Sequence, residues 1–172
     1  ADTNVLRGRA TALAWLGRPD DLERQLREIE RITPRSNQDE RVFAVVDLLV
    51  TRLRGGNFPN LKWVVITGHS AGGQFVQRYA AFTDIDLQPS PNAGFVKFVP
   101  ANPSSYLYLN AYRFDATRKA WVIPRGKKNK EYDDYKYGLD DLEDYAEDRG
   151  AVWARTHLPQ RWIEVLAGKE DV

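Results

Sequence analysis

The stretch of sequence that decides the fold runs from Leu61 to Ala81 and reads LKWVVITGHSAGGQFVQRYAA. Its first part, from Trp63 to Ile66, is continuously apolar and rich in β-branched residues, which predicts a central parallel strand covered on both faces. Its last part has apolar residues at helical spacing, namely Phe75, Val76, Tyr79 and Ala80. The stretch therefore predicts a strand, a tight turn and a helix, in that order.

The turn between the two elements has the pattern G-x-S-x-G, with Gly68, Ser70 and Gly72 at the fixed positions. A side chain at either glycine is expected to clash, because the helix must pass close to the strand. A turn of this kind holds its serine on a strained corner with the hydroxyl exposed, as a catalytic nucleophile requires. The same pattern also fits a glycine-rich turn in another doubly wound protein, where Ser70 only caps the helix. The flanking strand and helix favour the nucleophile.

The length of 172 residues indicates one domain. The net charge of +1 predicts no general affinity for polyanions, so we expect no nucleic-acid partner. Without cysteine the chain has no disulfide, no thiol catalysis and no cysteine-based zinc site, a composition that fits a cytoplasmic or a secreted protein. No apolar run is long enough to predict a membrane span. Because the chain does not begin with Met, we expect it to be processed or to be part of a longer polypeptide.

The rest of the chain predicts helices around a small parallel sheet. Residues 1–36 predict a helical N-terminal segment of two helices, the second with an apolar stripe, and we expect this pair to pack on the main domain. The main domain is predicted to span residues 37–172, and it begins with a helix from Val42 to Leu53. Strands are predicted at about 62–67, 95–99 and 161–167. The polar and aromatic region of about 107–160 resembles an insertion, with helices predicted at 140–148 and 151–160.

Polar residues follow the predicted second and third strands. Asn102, Ser104 and Ser105 lie in the loop after the second strand, and ligand sites gather at the carboxyl ends of parallel strands. Such residues are equally typical of a turn whose side chains bond their own backbone. The third strand is followed by Gly-x-x-Asp, which ends at Asp171. An aspartate in that place can orient a catalytic histidine and stabilise its charged form.

Three stretches together resemble the α/β-hydrolase family, and more narrowly a group of bacterial and fungal hydrolase-fold proteins of poorly defined substrate. They are Phe58 to Ala80, Pro100 to Tyr108, and Tyr137 to Leu142. With the strand end before Asp171, the resemblance covers roughly residues 40–172. It implies a three-layer α/β/α architecture with a mostly parallel sheet, here incomplete, preceded by the N-terminal helical segment.

The resemblance also implies a function, namely acyl hydrolysis of the esterase, lipase or amidase kind on a small-molecule substrate. Ser70 would be the nucleophile, Asp171 the acid of the triad, and the Ala71 N–H one donor of the oxyanion hole. His69, Asn102, Ser104 and Ser105 are candidate pocket residues. The resemblance implies no cofactor and no metal ion.

Two expected parts of a working hydrolase are missing from the sequence. The chain has only two histidines: His69 adjoins the nucleophile and should point elsewhere, and His157 precedes the acid on a predicted helix. The early strands and the loop that supplies the second oxyanion donor are also missing. We therefore expect the middle of a larger hydrolase domain, nearly inactive alone, whose sheet is completed by a further segment or a protein partner.

The alternative is a non-catalytic binding or interaction protein that keeps the hydrolase fold without the base. A nucleotide-binding domain is not favoured, because the chain lacks both G-x-G-x-x-G and a P-loop pattern.

Overall fold

The computed structural model describes two isolated residues and four stretches of the chain: Arg24, Arg27, and residues 38–56, 58–90, 95–125 and 130–168. Arg24 and Arg27 are both helical. The remainder of the predicted helical pair in residues 1–36 lies outside the described residues, as does Asp171.

Between residues 38 and 168 the described residues form three α-helices and four β-strands. In chain order they are α1 (Gln38–Arg54), β1 (Trp63–His69), α2 (Ala71–Phe82), β2 (Phe95–Ala101), β3 (Arg113–Asp115), β4 (Ala120–Val122) and α3 (Asp144–His157), and a short 3₁₀ helix (Leu158–Gln160) follows α3. The fold is thus mixed α/β, as predicted, and the strand, turn and helix of the deciding stretch are confirmed.

A small parallel sheet lies at the centre of the described structure. β1 and β2 pair in parallel, with Trp63 opposite Phe95 at one end of the ladder and His69 opposite Ala101 at the other. The segment predicted as the third strand, 161–167, lies parallel to β2 but meets it only at two isolated bridges, Phe98 to Ile163 and Ala101 to Leu166, and does not form a continuous strand. The three predicted strands are therefore neighbours, and their carboxyl ends meet at one edge. That edge carries the candidate site.

One face of the sheet is covered by α2, whose buried side chains form a large part of the core. Tyr79 and Phe98 are fully buried and meet edge to face, with ring centroids 6.1 Å apart. Phe43 of α1 joins this cluster and lies 5.0 Å from the ring of Phe75. Burying a side chain of this size stabilises the fold by about 1.5–3 kcal/mol. The helix that follows Ser70 is therefore held firmly against the sheet.

A carboxylate ties the three helices together inside this helical layer. Asp47 of α1 accepts hydrogen bonds from the Tyr79 hydroxyl at 2.6 Å and the Thr83 hydroxyl at 2.7 Å, and from the Tyr145 hydroxyl of α3 at 2.5 Å. Burial, and then the charge of Asp47, raise the pKa values of both tyrosines. Both phenols therefore remain protonated donors in the folded protein.

The other face of the sheet carries exposed aromatic side chains. Trp63 is 45% exposed and Phe95 is 62% exposed, with their rings 5.1 Å apart, and Trp162 lies 4.7 Å from Trp63. The prediction that Trp63 to Ile66 is covered on both faces is therefore wrong for the described part of the chain. On the face away from α2, the aromatic side chains of neighbouring segments contact one another and are only partly buried. What the described residues show is helices on one face of a short parallel sheet.

The insertion-like region contains regular structure that the sequence did not predict. β3 and β4 form an antiparallel hairpin, in which Phe114 and Trp121 pack with ring centroids 5.7 Å apart. The two helices predicted at 140–148 and 151–160 correspond to α3, which starts at Asp144 and is interrupted at Gly150, where φ is 80° and ψ is 164°. A glycine adopts this conformation without a steric penalty.

Candidate active site

Ser70 is the single residue between the end of β1 and the start of α2. Its φ is 55° and its ψ is −117°, a conformation that costs a non-glycine residue about 1–3 kcal/mol. The Ser70 N–H donates to the Ala101 carbonyl at 3.0 Å, and the Ser70 carbonyl accepts from the Gln74 N–H at 3.0 Å. The sheet on one side and the helix on the other therefore fix the strained backbone.

The glycines around Ser70 allow the helix to approach the sheet closely. A Cβ added to Gly68 would lie 2.4 Å from the Gly72 carbonyl oxygen, and one added to Gly73 would lie 2.6 Å from the Ala101 carbonyl oxygen. A Cβ added to Gly72 would meet nothing within 4 Å. The predicted clash is therefore correct for Gly68, whose added Cβ would meet the backbone of Gly72. It is wrong for Gly72, because a Cβ at that position would point into open space.

The side chain of Ser70 does not cap the helix. It makes no capping hydrogen bond to α2, and its Oγ lies 3.1 Å from the Oγ of Ser104, within hydrogen-bond distance. The structure thus disfavours the interpretation in which Ser70 is only a cap.

Ala71 is the first residue of α2, so its N–H has no carbonyl partner within the helix. The positive end of the helix dipole at this point favours negative charge that develops beside Ser70.

Ser70 lies in an open cleft of about 460 Å³ at the carboxyl ends of the strands. The lining residues are His69, Ser70, Asn102, Pro103, Ser104 and Tyr106. Three of the four candidate pocket residues therefore line the cleft of the candidate nucleophile. The fourth, Ser105, lines an adjoining cleft of about 480 Å³.

A larger cavity of about 880 Å³ lies beside the β3–β4 hairpin, and its lining includes Arg113 and Phe114. It shares no lining residue with the Ser70 cleft. We place the candidate site at the smaller cleft, because strained backbone, a helix N-terminus and a hydroxyl group converge there.

Asn102 connects the carboxyl ends of the strands. Its N–H donates to the Leu166 carbonyl at 2.7 Å, and its Oδ1 accepts from the Gly168 N–H at 2.8 Å. Its Nδ2 lies 3.4 Å from His69 Nε2. Asn102 has a φ of 40°, a conformation that asparagine tolerates better than most residues. The Asn102 side chain thus lines the cleft, and its backbone partner is Gly168, which is distant in the sequence, rather than the backbone of its own loop.

Neither histidine is placed as a base for Ser70. His157 stacks on Trp153 with ring centroids 3.6 Å apart, and its Nδ1 lies 2.9 Å from the Thr156 hydroxyl of the same helix. His69 lines the cleft, but the polar contact of its ring is with Asn102. Both histidines are among the described residues, and neither hydrogen-bonds to the Ser70 hydroxyl.

Arg78 and Gln74 are site-neighbouring residues that the sequence reasoning missed. Both line the adjoining cleft with Ser104 and Ser105. A signal for them was present, because Ser70, Gln74 and Arg78 follow one another at intervals of four residues and so share one face of α2. Arg78 reads as a surface residue in a helix of small and apolar side chains, yet the structure buries it.

The described residues include no group of three or more His, Cys, Asp or Glu side chains arranged to hold a metal ion. Among the helices of the described part, none has the length and apolar character needed to cross a membrane.

No family model matches this chain, and neither a curated protein nor a solved structure matches it. The geometry of the described residues is therefore what indicates a function for this chain.

Proposed function

We propose that the chain carries the nucleophile of a serine hydrolase of the α/β-hydrolase type, which cleaves the ester or amide bond of a small acyl substrate. The observation that carries the proposal is the conformation of Ser70, with a φ of 55° and a ψ of −117° at a strand-to-helix corner. This strained corner is the feature that exposes the nucleophile in hydrolases of this type.

The surroundings of Ser70 support a specific role in acyl transfer for each of three residues. The Ser70 Oγ would attack the acyl carbonyl, and the Ala71 N–H would donate to the oxyanion that forms. A single oxyanion donor is worth about 10²–10³-fold in rate. Ser104, 3.1 Å from Ser70, would orient the hydroxyl before the attack.

Asp171 remains the candidate for the triad acid, although it lies outside the described residues. Its support is the position of Gly168, which Asn102 binds at the edge of the Ser70 cleft. Asp171 follows Gly168 by three residues, a stretch that spans at most about 10 Å. The proposal for Asp171 therefore rests on its place in the sequence, three residues after Gly168.

The proton of the Ser70 hydroxyl needs a base that His69 and His157 do not supply in their described positions. Added imidazole can enter an open cleft and act as that base. We therefore expect a fluorophosphonate probe to label the chain slowly, and imidazole to accelerate the labelling.

The test is intact-protein mass spectrometry with peptide mapping after incubation with the fluorophosphonate, with and without imidazole. We expect one adduct per chain at Ser70 and none in Ser70→Ala. Ser104→Ala distinguishes the two neighbouring hydroxyl groups: it should still label at Ser70, but more slowly, because Ser104 no longer orients the Ser70 hydroxyl. Labelling of Ser104 in place of Ser70, or equal labelling of Ser70→Ala, would contradict the proposal.

The second candidate is a non-catalytic binding or interaction protein of the same fold. The observation that favours it is that neither histidine hydrogen-bonds to Ser70. Complete absence of labelling at Ser70, even with imidazole, would support this candidate over the hydrolase.

A further inference from the structure

A cleft of about 470 Å³ beside the β3–β4 hairpin has an aromatic and uncharged lining. Three of its lining side chains are aromatic, one is aliphatic and one is an amide: Tyr108, Leu109, Asn110, Tyr112 and Trp121. The volume falls within the range of about 300–1,000 Å³ that is usual for small-molecule sites. Because the described lining contains no charged side chain, it favours an uncharged ligand.

Two of the aromatic rings of this cleft remain largely exposed. Trp121 is 62% exposed and Tyr112 is 48% exposed. Trp121 packs against Phe114 of the same hairpin, with ring centroids 5.7 Å apart, whereas Tyr112 makes no ring contact in the described part of the chain. Large apolar side chains that gather at one exposed place commonly mark a binding site.

The same side chains carry neutral hydrogen-bonding groups that have no partner among the described residues. They are the Trp121 Nε1–H, the hydroxyl groups of Tyr108 and Tyr112, and the Nδ2 of Asn110. The Oδ1 of Asn110 accepts from the Tyr112 N–H at 2.9 Å, which fixes the orientation of the amide. The cleft therefore offers apolar rings and neutral polar groups side by side.

Two arginine side chains hold this lining in position. The Arg113 guanidinium donates to the Asn110 carbonyl at 2.7 Å and lies 3.9 Å from the ring centre of Tyr108. Arg155 of α3 donates to the Leu109 carbonyl at 2.9 Å. A site whose lining is already ordered in the free protein loses less conformational entropy when a ligand binds.

From this arrangement we infer that the cleft binds a neutral sugar ring with equatorial hydroxyl groups, as in β-linked glucose units. The axial C–H groups of such a ring form a flat apolar face that can stack on Trp121 or Tyr112. Its hydroxyl groups lie around the rim, where the neutral groups of the cleft can bond them. A purely apolar ligand would cover those groups without bonding them, which costs affinity. The cleft shares no lining residue with the Ser70 cleft, so this inference does not depend on the proposed function.

Heteronuclear NMR on the full chain tests the inference through the indole N–H signals of its five tryptophans. The Trp121 signal is the one that disappears in Trp121→Phe. The probes are cellobiose and N,N′-diacetylchitobiose, and sorbitol is the control because it carries hydroxyl groups without a ring. We expect a saturable shift of the Trp121 signal with at least one of the disaccharides and none with sorbitol.

Calorimetry on variants of the full chain identifies the residues that bind the sugar. Trp121→Ala should weaken binding about tenfold because it removes a stacking ring, and Trp121→Phe should recover most of the loss. Tyr112→Ala should weaken binding about threefold to tenfold, and it keeps the test decisive if Trp121→Ala does not fold. Trp162→Ala is the matched control, because it removes an exposed tryptophan from the open face of the sheet and should leave the affinity unchanged.

The absence of a saturable shift with both disaccharides would overturn the inference, as would an equal response to sorbitol. Binding that is unchanged in both Trp121→Ala and Tyr112→Ala would place the sugar elsewhere and would also overturn it. A saturable shift of the Trp121 signal with phenol but with neither disaccharide would assign the cleft to a neutral aromatic ligand instead of a sugar. None of these outcomes alters the expected labelling of Ser70, so the two proposals are tested separately.

Discussion

Replacing Gly68 with alanine should damage the protein far more than the same replacement at Gly72, although both glycines belong to the same five-residue turn. The Cβ of Gly68→Ala would lie 2.4 Å from the Gly72 carbonyl oxygen and 2.9 Å from the Gly72 Cα. These atoms belong to the backbone of α2, so no side-chain rotation can relieve the overlap. The first turn of α2 would have to move away from β1.

The required movement sets the size of the effect. Restoring an ordinary contact of 3.4 Å from 2.4 Å requires a displacement of about 1 Å. The helix start is held against that movement by the hydrogen bond from Ser70 to Ala101 and by the packing of Tyr79 on Phe98. Overpacking of this kind costs about 1–3 kcal/mol and occasionally more, so we expect the free energy of unfolding to fall by about 3 kcal/mol.

Urea unfolding followed by tryptophan fluorescence measures the effect. With a slope of about 2 kcal/mol per M, the midpoint for Gly68→Ala should fall by about 1.5 M. Gly72→Ala is the matched control, because its Cβ meets nothing within 4 Å and the φ of Gly72 is not positive. It should be neutral or stabilise the protein by up to about 1 kcal/mol, since alanine favours a helix over glycine. A wild-type midpoint for Gly68→Ala, or an equal loss in Gly72→Ala, would refute the argument from close approach.

Two further predictions concern the packing of α2 and the edge of the site. Tyr79→Phe removes one donor to Asp47 and should lower the free energy of unfolding by about 1–3 kcal/mol at pH 7. Because burial and the charge of Asp47 raise the pKa of Tyr79, the stability it contributes is complete below its unfolded pKa of about 10 and is lost as the pH rises above that value. Wild-type stability, measured in urea between about pH 8 and 11, should therefore fall more steeply than that of Tyr79→Phe, and parallel curves would contradict this assignment. Asn102→Ala removes the acceptor for the Gly168 N–H and should speed amide exchange at Gly168 about tenfold in a hydrogen–deuterium exchange experiment, whereas Asn102→Asp keeps an acceptor and should not.

The parts of the fold that depend on local sequence were predicted well. β1 and α2 follow from an apolar run and a helical period that meet at a glycine-rich turn. α1 was predicted from Val42 to Leu53 and extends from Gln38 to Arg54, because its first polar residues carry no apolar period to mark the start of the helix. A third strand was predicted at 161–167; this segment does lie beside β2, but only the isolated bridges of Ile163 and Leu166 form and no continuous strand does.

Features that depend on distant contacts were not predictable from the same patterns. The apolar run from Trp63 to Ile66 has no property that distinguishes a strand covered on both faces from one covered by α2 alone. The β3–β4 hairpin was missed because each of its strands has only three residues, too few for an alternating pattern to be recognised. The steric role of Gly72 was misjudged because the motif names the glycines but not the direction in which each Cα–H points.

In the candidate site, too, the features set by adjacent residues were predictable and those set by tertiary packing were not. The corner at Ser70 was predicted because its geometry depends on adjacent residues, whereas the contact with Ser104 and the burial of Arg78 depend on how loops from β2 and from residues 130–141 pack on α2. Gln74 and Arg78 follow Ser70 at intervals of four residues, but only the tertiary structure shows that both line the cleft that adjoins the Ser70 cleft.

The presence of serine rather than glycine at position 70 bears on the function of this turn. A backbone with a φ of 55° and a ψ of −117° is adopted at the least cost by glycine, which has no Cβ to clash. A hydrogen bond from the serine side chain to the start of α2 would offset part of that cost, but Ser70 makes no such capping bond. The polar partner of the hydroxyl is instead Ser104, across a cleft that is open to solvent. A strained residue whose side chain contributes so little to the local fold is better explained by what its hydroxyl does to a molecule in the cleft, and this favours a nucleophile at Ser70 over a structural turn.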